Sequence, residues 1–344
     1  MEVSQLPADR TVVDLPTGDP PTGNQPTDNQ PTGDQPAGDL RDLYRYMAAR
    51  DFVASRAELL ERGFGRHRLT SWRKSGRLIK NFRGIYSYGR DIQTRREALR
   101  ASLLVAGSEA VLTGRVALET WGAVKPRSEI PRLIEVATTV DRAGHHSGDS
   151  PALRNTTVRV LRRNFEVEDV RRRDGLAVLR ATLALIDFAA TASETEVRFA
   201  FLELCRLRLF NRQELELCVR RATGKRGVAK LKPLFGLWVP ELQRIRSVLE
   251  GLFVLAWVER GLKMPEVNEK IFGREVDMLW REEKVIVELD GEAFHSDPVA
   301  RSRDLEKQRF LESKGFRVIR VTWKEFMADP AGAIDRIARE LGLT

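Results

Sequence analysis

The chain has 344 residues, beyond the length at which a single core keeps growing, so two or three folded units are expected. Hydrophobic residues at 42% and charged residues at 31% fit a chain that buries real cores, while a net charge of +9 points to a polyanionic partner, nucleic acid first. Two cysteines, Cys205 and Cys218, lie outside any C-x-x-C and exclude a zinc site or a disulfide framework, and no apolar run approaches a membrane span. With no signal peptide legible at the amino terminus, a cytoplasmic protein is expected.

Residues 16–40 are five successive pentapeptides, PTGDP, PTGNQ, PTDNQ, PTGDQ and PAGDL. Proline and glycine at this density, with nothing apolar to bury, do not offset ordering entropy, so residues 1–39 read as a disordered tail.

Residues 40–90 read as three helices followed by an extended hairpin. Leu43, Tyr46 and Met47 share a face of the first helix, and Ser55 with Glu58 forms a capping box at the second. The third, from Gly65 to Ser75, turns Leu69 and Trp72 inward, leaving His67, Thr70, Ser71 and Lys74 on the opposite face beside Arg66, Arg68, Arg73 and Arg77. The stretch LIKNFRGIYSYG alternates around Arg83-Gly84 as a two-stranded wing. Together these form a winged helix-turn-helix outline, in which His67, Arg68, Thr70, Ser71, Lys74, Arg77 and Arg83 are the candidate contacts to double-stranded DNA.

These residues, ASRAELLERGFGRHRLTSWRKSGRLIKNFRGIYSY above all, resemble the amino-terminal winged-helix domain of AbiEi-type antitoxins of type IV toxin-antitoxin systems. The resemblance implies a DNA-binding repressor module and allows a toxin as a protein partner.

Residues 91–240 read as a mixed α/β and helical connector. Leu99, Leu103 and Leu104 mark one helix and VLTGRVALETWG another. LIEVATT and TTVRVLRRN read as strands separated by a polar loop with His145 and His146, which are expected to be exposed rather than metal-binding. GLAVLRATLALIDFAA resembles the segment that follows the winged helix in the same antitoxin-like proteins.

Residues 241–344 carry the chemistry. An apolar helix over Glu241–Leu262 holds Glu250, and two strands follow, REVDMLW and KVIVELDG. A turn centred on Glu282-Glu283 makes the numbers of facing residues sum to 565, which sets Asp277 opposite Glu288 with Cβ atoms roughly 5 Å apart. Asp290 shares a face with Glu288 because side chains alternate along a strand. Three carboxylates at the end of an apolar strand need relief, and Mg2+ (or Mn2+) is the natural one, able to polarise a phosphodiester and activate water. The alternative is a carboxylate pair bridged to Arg274 or Arg320. Trp280, Phe294 and Trp323 are expected in the core.

VDMLW, VIVELDGEAFH and DLEKQRFLESKGFRVIRVTW resemble Vsr-like nucleases within the PD-(D/E)xK superfamily, which implies a restriction-endonuclease-like α/β domain. Residue by residue, the resemblance implies Asp277 and Glu288 at the metal centre, Glu250 as a supporting helical acid, His295 as the histidine after the DG turn, and Asp304 as the acid opening the next helix. The chain departs from the standard motif in carrying Asp290 where a lysine is usual, which Vsr-like enzymes also lack. Lys307 reads as a surface partner of Asp304 at i+3 in preference to a cation for the site.

The whole then reads as an α/β multidomain protein, a Mg2+-dependent DNA endonuclease targeted by its winged helix. The alternative is an antitoxin-like transcriptional regulator whose nuclease fold only adds DNA affinity. Deleting residues 1–39 is expected to leave the melting temperature nearly unchanged in a thermal scan. A large loss would show that the repeats pack.

Overall fold

The computed structural model describes residues 39–141, 143–291 and 298–343. The repeat tail, apart from Asp39, and His295 and Phe294 therefore lie outside the described residues. Within them the chain forms three sheets flanked by helices.

The first sheet is built from α1 (Asp39–Ala48), β1 (Val53–Ser55), α2 (Arg56–Glu61), α3 (Arg66–Lys74), β2 (Leu78–Phe82) and β3 (Ile85–Tyr88), with strand order β1-β3-β2. Ser55 caps α2 as its sequence requires, accepting the Glu58 N–H at 3.1 Å while the Glu58 carboxylate accepts the Ser55 N–H at 2.7 Å. Leu43, Met47, Leu69 and Trp72 are buried in one small core. The hairpin turns at Arg83-Gly84, where Gly84 takes φ +78°. The short strand β1 is additional to the sequence reading and converts the hairpin into a three-stranded sheet.

The second sheet has six strands in the order β6-β7-β5-β4-β9-β8. Its elements are α4 (Arg95–Ala106), β4 (Val111–Leu112), α5 (Gly114–Thr120), β5 (Leu133–Thr138), β6 (Gly144–Ser147), β7 (Thr157–Arg162), β8 (Val170–Arg173) and β9 (Leu176–Leu179). His145 and His146 are exposed as expected, but they belong to edge strand β6, antiparallel to β7, rather than to a loop. Helices α6 (Ala181–Ala189), α7 (Glu194–Arg206), α8 (Arg212–Ala222) and α9 (Val228–Gly236) follow. Every residue of α6 is buried, and both cysteines are fully buried.

The third sheet has the order β10-β11-β12-β13. It is formed by α10 (Val248–Glu259), β10 (Glu266–Ile271), β11 (Arg274–Trp280), β12 (Val285–Asp290), α11 (Pro298–Ser313), β13 (Arg317–Thr322), α12 (Trp323–Ala328) and α13 (Pro330–Glu340). Val267, Met278, Val287 and Val321 face the main core with α10, α12 and α13, whereas Val276, Leu279 and Ile286 pack with Leu311 of α11.

The apolar helix expected from Glu241 begins only at Val248, after a 3-10 turn at Pro240–Gln243. Ser247 caps it, accepting the Glu250 N–H at 3.1 Å, and this late start puts Glu250 in the first turn. A helix apolar all round has to be buried, and α10 packs against α7 and α13. A Cβ at Gly251 would stand 2.7 Å from Leu202 Cδ2, so the glycine sets how closely α10 approaches α7. Trp257 and Trp280 lie 4.8 Å apart and donate both indole N–H groups to the Lys263 carbonyl, each at 3.1 Å. That shared acceptor ties α10 to β11. Trp257→Ala should cost about 3–5 kcal/mol in denaturant unfolding, a loss of contact area and of one donor.

Candidate active site

The β11–β12 ladder pairs Met278 with Val287, Leu279 with Ile286 and Trp280 with Val285, the register inferred from the turn. Asp277 and Glu288 are the next positions along the two strands, just beyond the last paired residues. There the Leu289 N–H donates to Asp277 Oδ2 at 2.7 Å. On the other side of β11, Asn268 occupies the position facing Asp277, between the Val267–Met278 and Glu269–Val276 pairs, with φ +50°. Its side-chain N–H donates to Glu250 Oε2 at 2.5 Å, and the Arg246 N–H reaches the same oxygen at 2.8 Å. Glu250 is buried and its charge is met by these donors.

Pairing of β12 with β13 is parallel and matches Glu288 with Arg320. The Arg320 guanidinium grips both oxygens of Asp290, at 2.9 and 2.7 Å, and stands 3.7 Å from Asp304 Oδ2. Of the two arginines weighed as partners, Arg320 is engaged, while Arg274 lies over the Phe310 ring at 4.9 Å. Asp290 is therefore neutralised by an arginine and is no third free carboxylate. Lys307 of α11 donates to Glu288 Oε2 at 2.8 Å. This overturns its reading as a surface partner of Asp304: the lysine points into the site.

Glu250, Asp277, Glu288, Asp290 and Asp304 line one cavity of about 320 Å3 together with Lys307 and Arg320. The Glu288 Oε1 atom is buried there without a hydrogen-bond partner. Burial, and then the charge of Glu288, push the Asp277 carboxyl up to about 7 despite the Leu289 N–H. Burial raises Glu288 as well, against the pull of Lys307. Two carboxylates that resist ionisation side by side, one with an orphaned oxygen, form a donor set that fits a divalent cation. Among the described residues, however, no three or more acidic, histidine or cysteine side chains already converge on one point.

Asn268 is the residue the sequence left unassigned at this site; Lys307 reads from the sequence as a surface residue, and Arg320 as one of two candidate partners of the carboxylates. A signal existed for Lys307 only in its spacing, one helical turn beyond Asp304.

The second candidate set lies on the first sheet. His67, Thr70, Ser71, Lys74, Arg77 and Arg83 are exposed and Arg68 is half-buried. The Thr70 hydroxyl is spent on the Arg66 carbonyl at 3.0 Å, within its own helix, which removes it as a free donor.

The Asp277 carboxyl fixes a pH dependence. Its folded value lies above its ordinary one, so the native state binds more protons than the unfolded state between about pH 4 and 7. Stability from this group is full below that window and is lost as pH rises through it. In metal-free buffer, Asp277→Asn should raise the melting temperature at pH 8, on the order of 5 °C, and change it little at pH 4. Equal shifts at both pH values would contradict the raised carboxyl.

Residues 256–341 match the profile of REase_MTES_1575, a restriction endonuclease-like family. The match takes in β10 to β13 and α11 to α13, and hence Asp277, Glu288, Asp290, Asp304, Lys307 and Arg320; Glu250 falls outside it. No curated protein matches the chain. The carboxy-terminal part is thus similar to restriction endonuclease-like domains.

Proposed function

We propose that the chain is a Mg2+- or Mn2+-dependent DNA endonuclease that hydrolyses phosphodiester bonds at the Asp277–Glu288 site. The observation that carries this reading is the buried carboxylate pair with its unpartnered Glu288 oxygen in a solvent-reachable cavity. Asp277 and Glu288 would hold the cation, with Glu250 behind them. When bound, such an ion supplies Lewis-acid polarisation of the phosphoryl oxygen and a more acidic water. The chain's own residues do the rest. Lys307, released from Glu288, is a cation within reach of a phosphate oxygen, the electrostatic role that matters as charge develops on the phosphoryl group. Arg320 keeps Asp290 neutralised and so limits repulsion of the polyanionic substrate. His295, which falls outside the described residues, is assigned proton transfer from its place after the DG turn, the near-neutral titration of an imidazole and the resemblance.

The first sheet is read as a winged helix whose α3 and Arg83 turn contact duplex DNA. Its helix order, the β1-β3-β2 sheet and an exposed basic α3 support this. A second reading is an antitoxin-like regulator with a non-catalytic nuclease fold.

Plasmid cleavage decides between them. The wild type should nick supercoiled DNA in Mg2+ and not in EDTA; Glu288→Ala should abolish cutting, and Lys307→Ala or His295→Ala should slow it roughly a hundredfold with DNA affinity retained. A wild type that binds DNA but never cuts it would establish the regulator. Lys74→Ala, Arg77→Ala and Arg83→Ala combined should weaken binding and flatten its salt dependence by about 0.9 per lost phosphate contact.

A further inference from the structure

A line of hollows, some sharing lining residues and others linked only through packed side chains, leads from the carboxylate cavity onto the second sheet. Asp290 and Gly291 line both this cavity and a neighbouring hollow formed with Thr322, Trp323 and Lys324. Trp323 meets Phe199 of α7 edge-on, with ring centroids 6.1 Å apart. Phe199 in turn lines a hollow of about 550 Å3 with Arg115, Lys125, Arg206 and Val248, the residue after Ser247 at the cavity rim. Arg115 is shared with the last hollow, where Arg127 and Arg132 stand.

Charge along this line is uneven. Lys125, Arg132 and Lys324 are exposed and pair with no carboxylate among the described residues. Arg115 and Arg127 divide a single Glu196 oxygen between them. Arg206 has its own partner in Glu203. Cations thus exceed carboxylates here, whereas the cavity at the other end is crowded with acids. A polyanion approaching that cavity is repelled by it and needs cations beside it.

We propose that this line is a phosphate track: it holds the backbone of duplex DNA on one flank of the bond to be cut and leads it into the carboxylate cavity. The proposal rests on the nuclease reading for its destination and gives the region between the first and third sheets a binding role separate from α3. The track engages phosphates, so it adds affinity without base preference.

The test is the salt dependence of binding to a defined duplex, measured by fluorescence anisotropy on the full chain in EDTA. Lys125→Ala, Arg127→Ala and Arg132→Ala combined should lower the slope of log affinity against log salt by about 2 to 3 units, at about 0.9 per contact. A charge-matched control on exposed positions of α8 and α9, Arg212→Ala, Arg220→Ala and Lys232→Ala, should lower it by less than one. An unchanged slope in the first variant, or an equal fall in both, overturns the track. Cleavage is read separately in Mg2+: a wild type that never cuts removes the nuclease reading, and the slope comparison still decides whether the track binds DNA.

Discussion

Asp277 and Glu288 line one cavity at the end of a strand pair, both largely withdrawn from water, and like charges so placed must be offset by something. Much of the local architecture answers that requirement. The Leu289 N–H turns toward Asp277, Lys307 reaches down from α11 to Glu288, and Arg320 takes charge of Asp290. What these donors do not cover is one oxygen of Glu288 and the ionisation of Asp277, which stays unfavourable up to about pH 7. The carboxylates of the site are thus only partly compensated by the side chains and N–H groups around them.

Several elements were legible in the sequence because their causes are local. A short turn fixes strand register, so the Met278–Val287, Leu279–Ile286 and Trp280–Val285 pairs followed from counting outward from Glu282-Glu283. The Ser55 capping box and the inward pair Leu69 and Trp72 depend on contacts within a few residues. Lys307 depended on something longer in range. Periodicity puts it on the same side of α11 as Asp304, but whether that side meets solvent or the sheet is decided by the parallel docking of β13, which draws α11 across β12. Arg320 was likewise one of two equivalent candidates until the parallel register matched it to Glu288. Asn268 gave no signal, since a left-handed residue inside a strand leaves no pattern, although asparagine tolerates that conformation better than most. The start of α10 was missed because Leu242, Ile245 and Leu249 keep helical spacing across the break, and only the cap at Ser247 marks where the helix begins.

The three sheets divide the work differently. The first has its own small core, and Val53, Phe82 and Ile85 join it to the main one. The second and third share a single core that runs through α6, α7 and α10 without interruption. Glu250 sits at this junction. Its helix belongs to the shared core, while its carboxylate is held by Asn268 of the third sheet, beside Asp277. The rim of the site is therefore built from both.

The fit at Gly251 has a consequence for modularity. With Leu202 and Ile245 pressed against the bare backbone of α10, the third sheet carries one face that only this neighbour fits. Separated from α7, that face would be an apolar surface of the kind soluble proteins seldom leave open. The third sheet thus depends on α7 to cover the apolar face of α10. A chain that acquired it by recombination would have to bring α7 along or evolve a new cover for α10, and variation at Leu202 and Ile245 should be constrained jointly with the glycine.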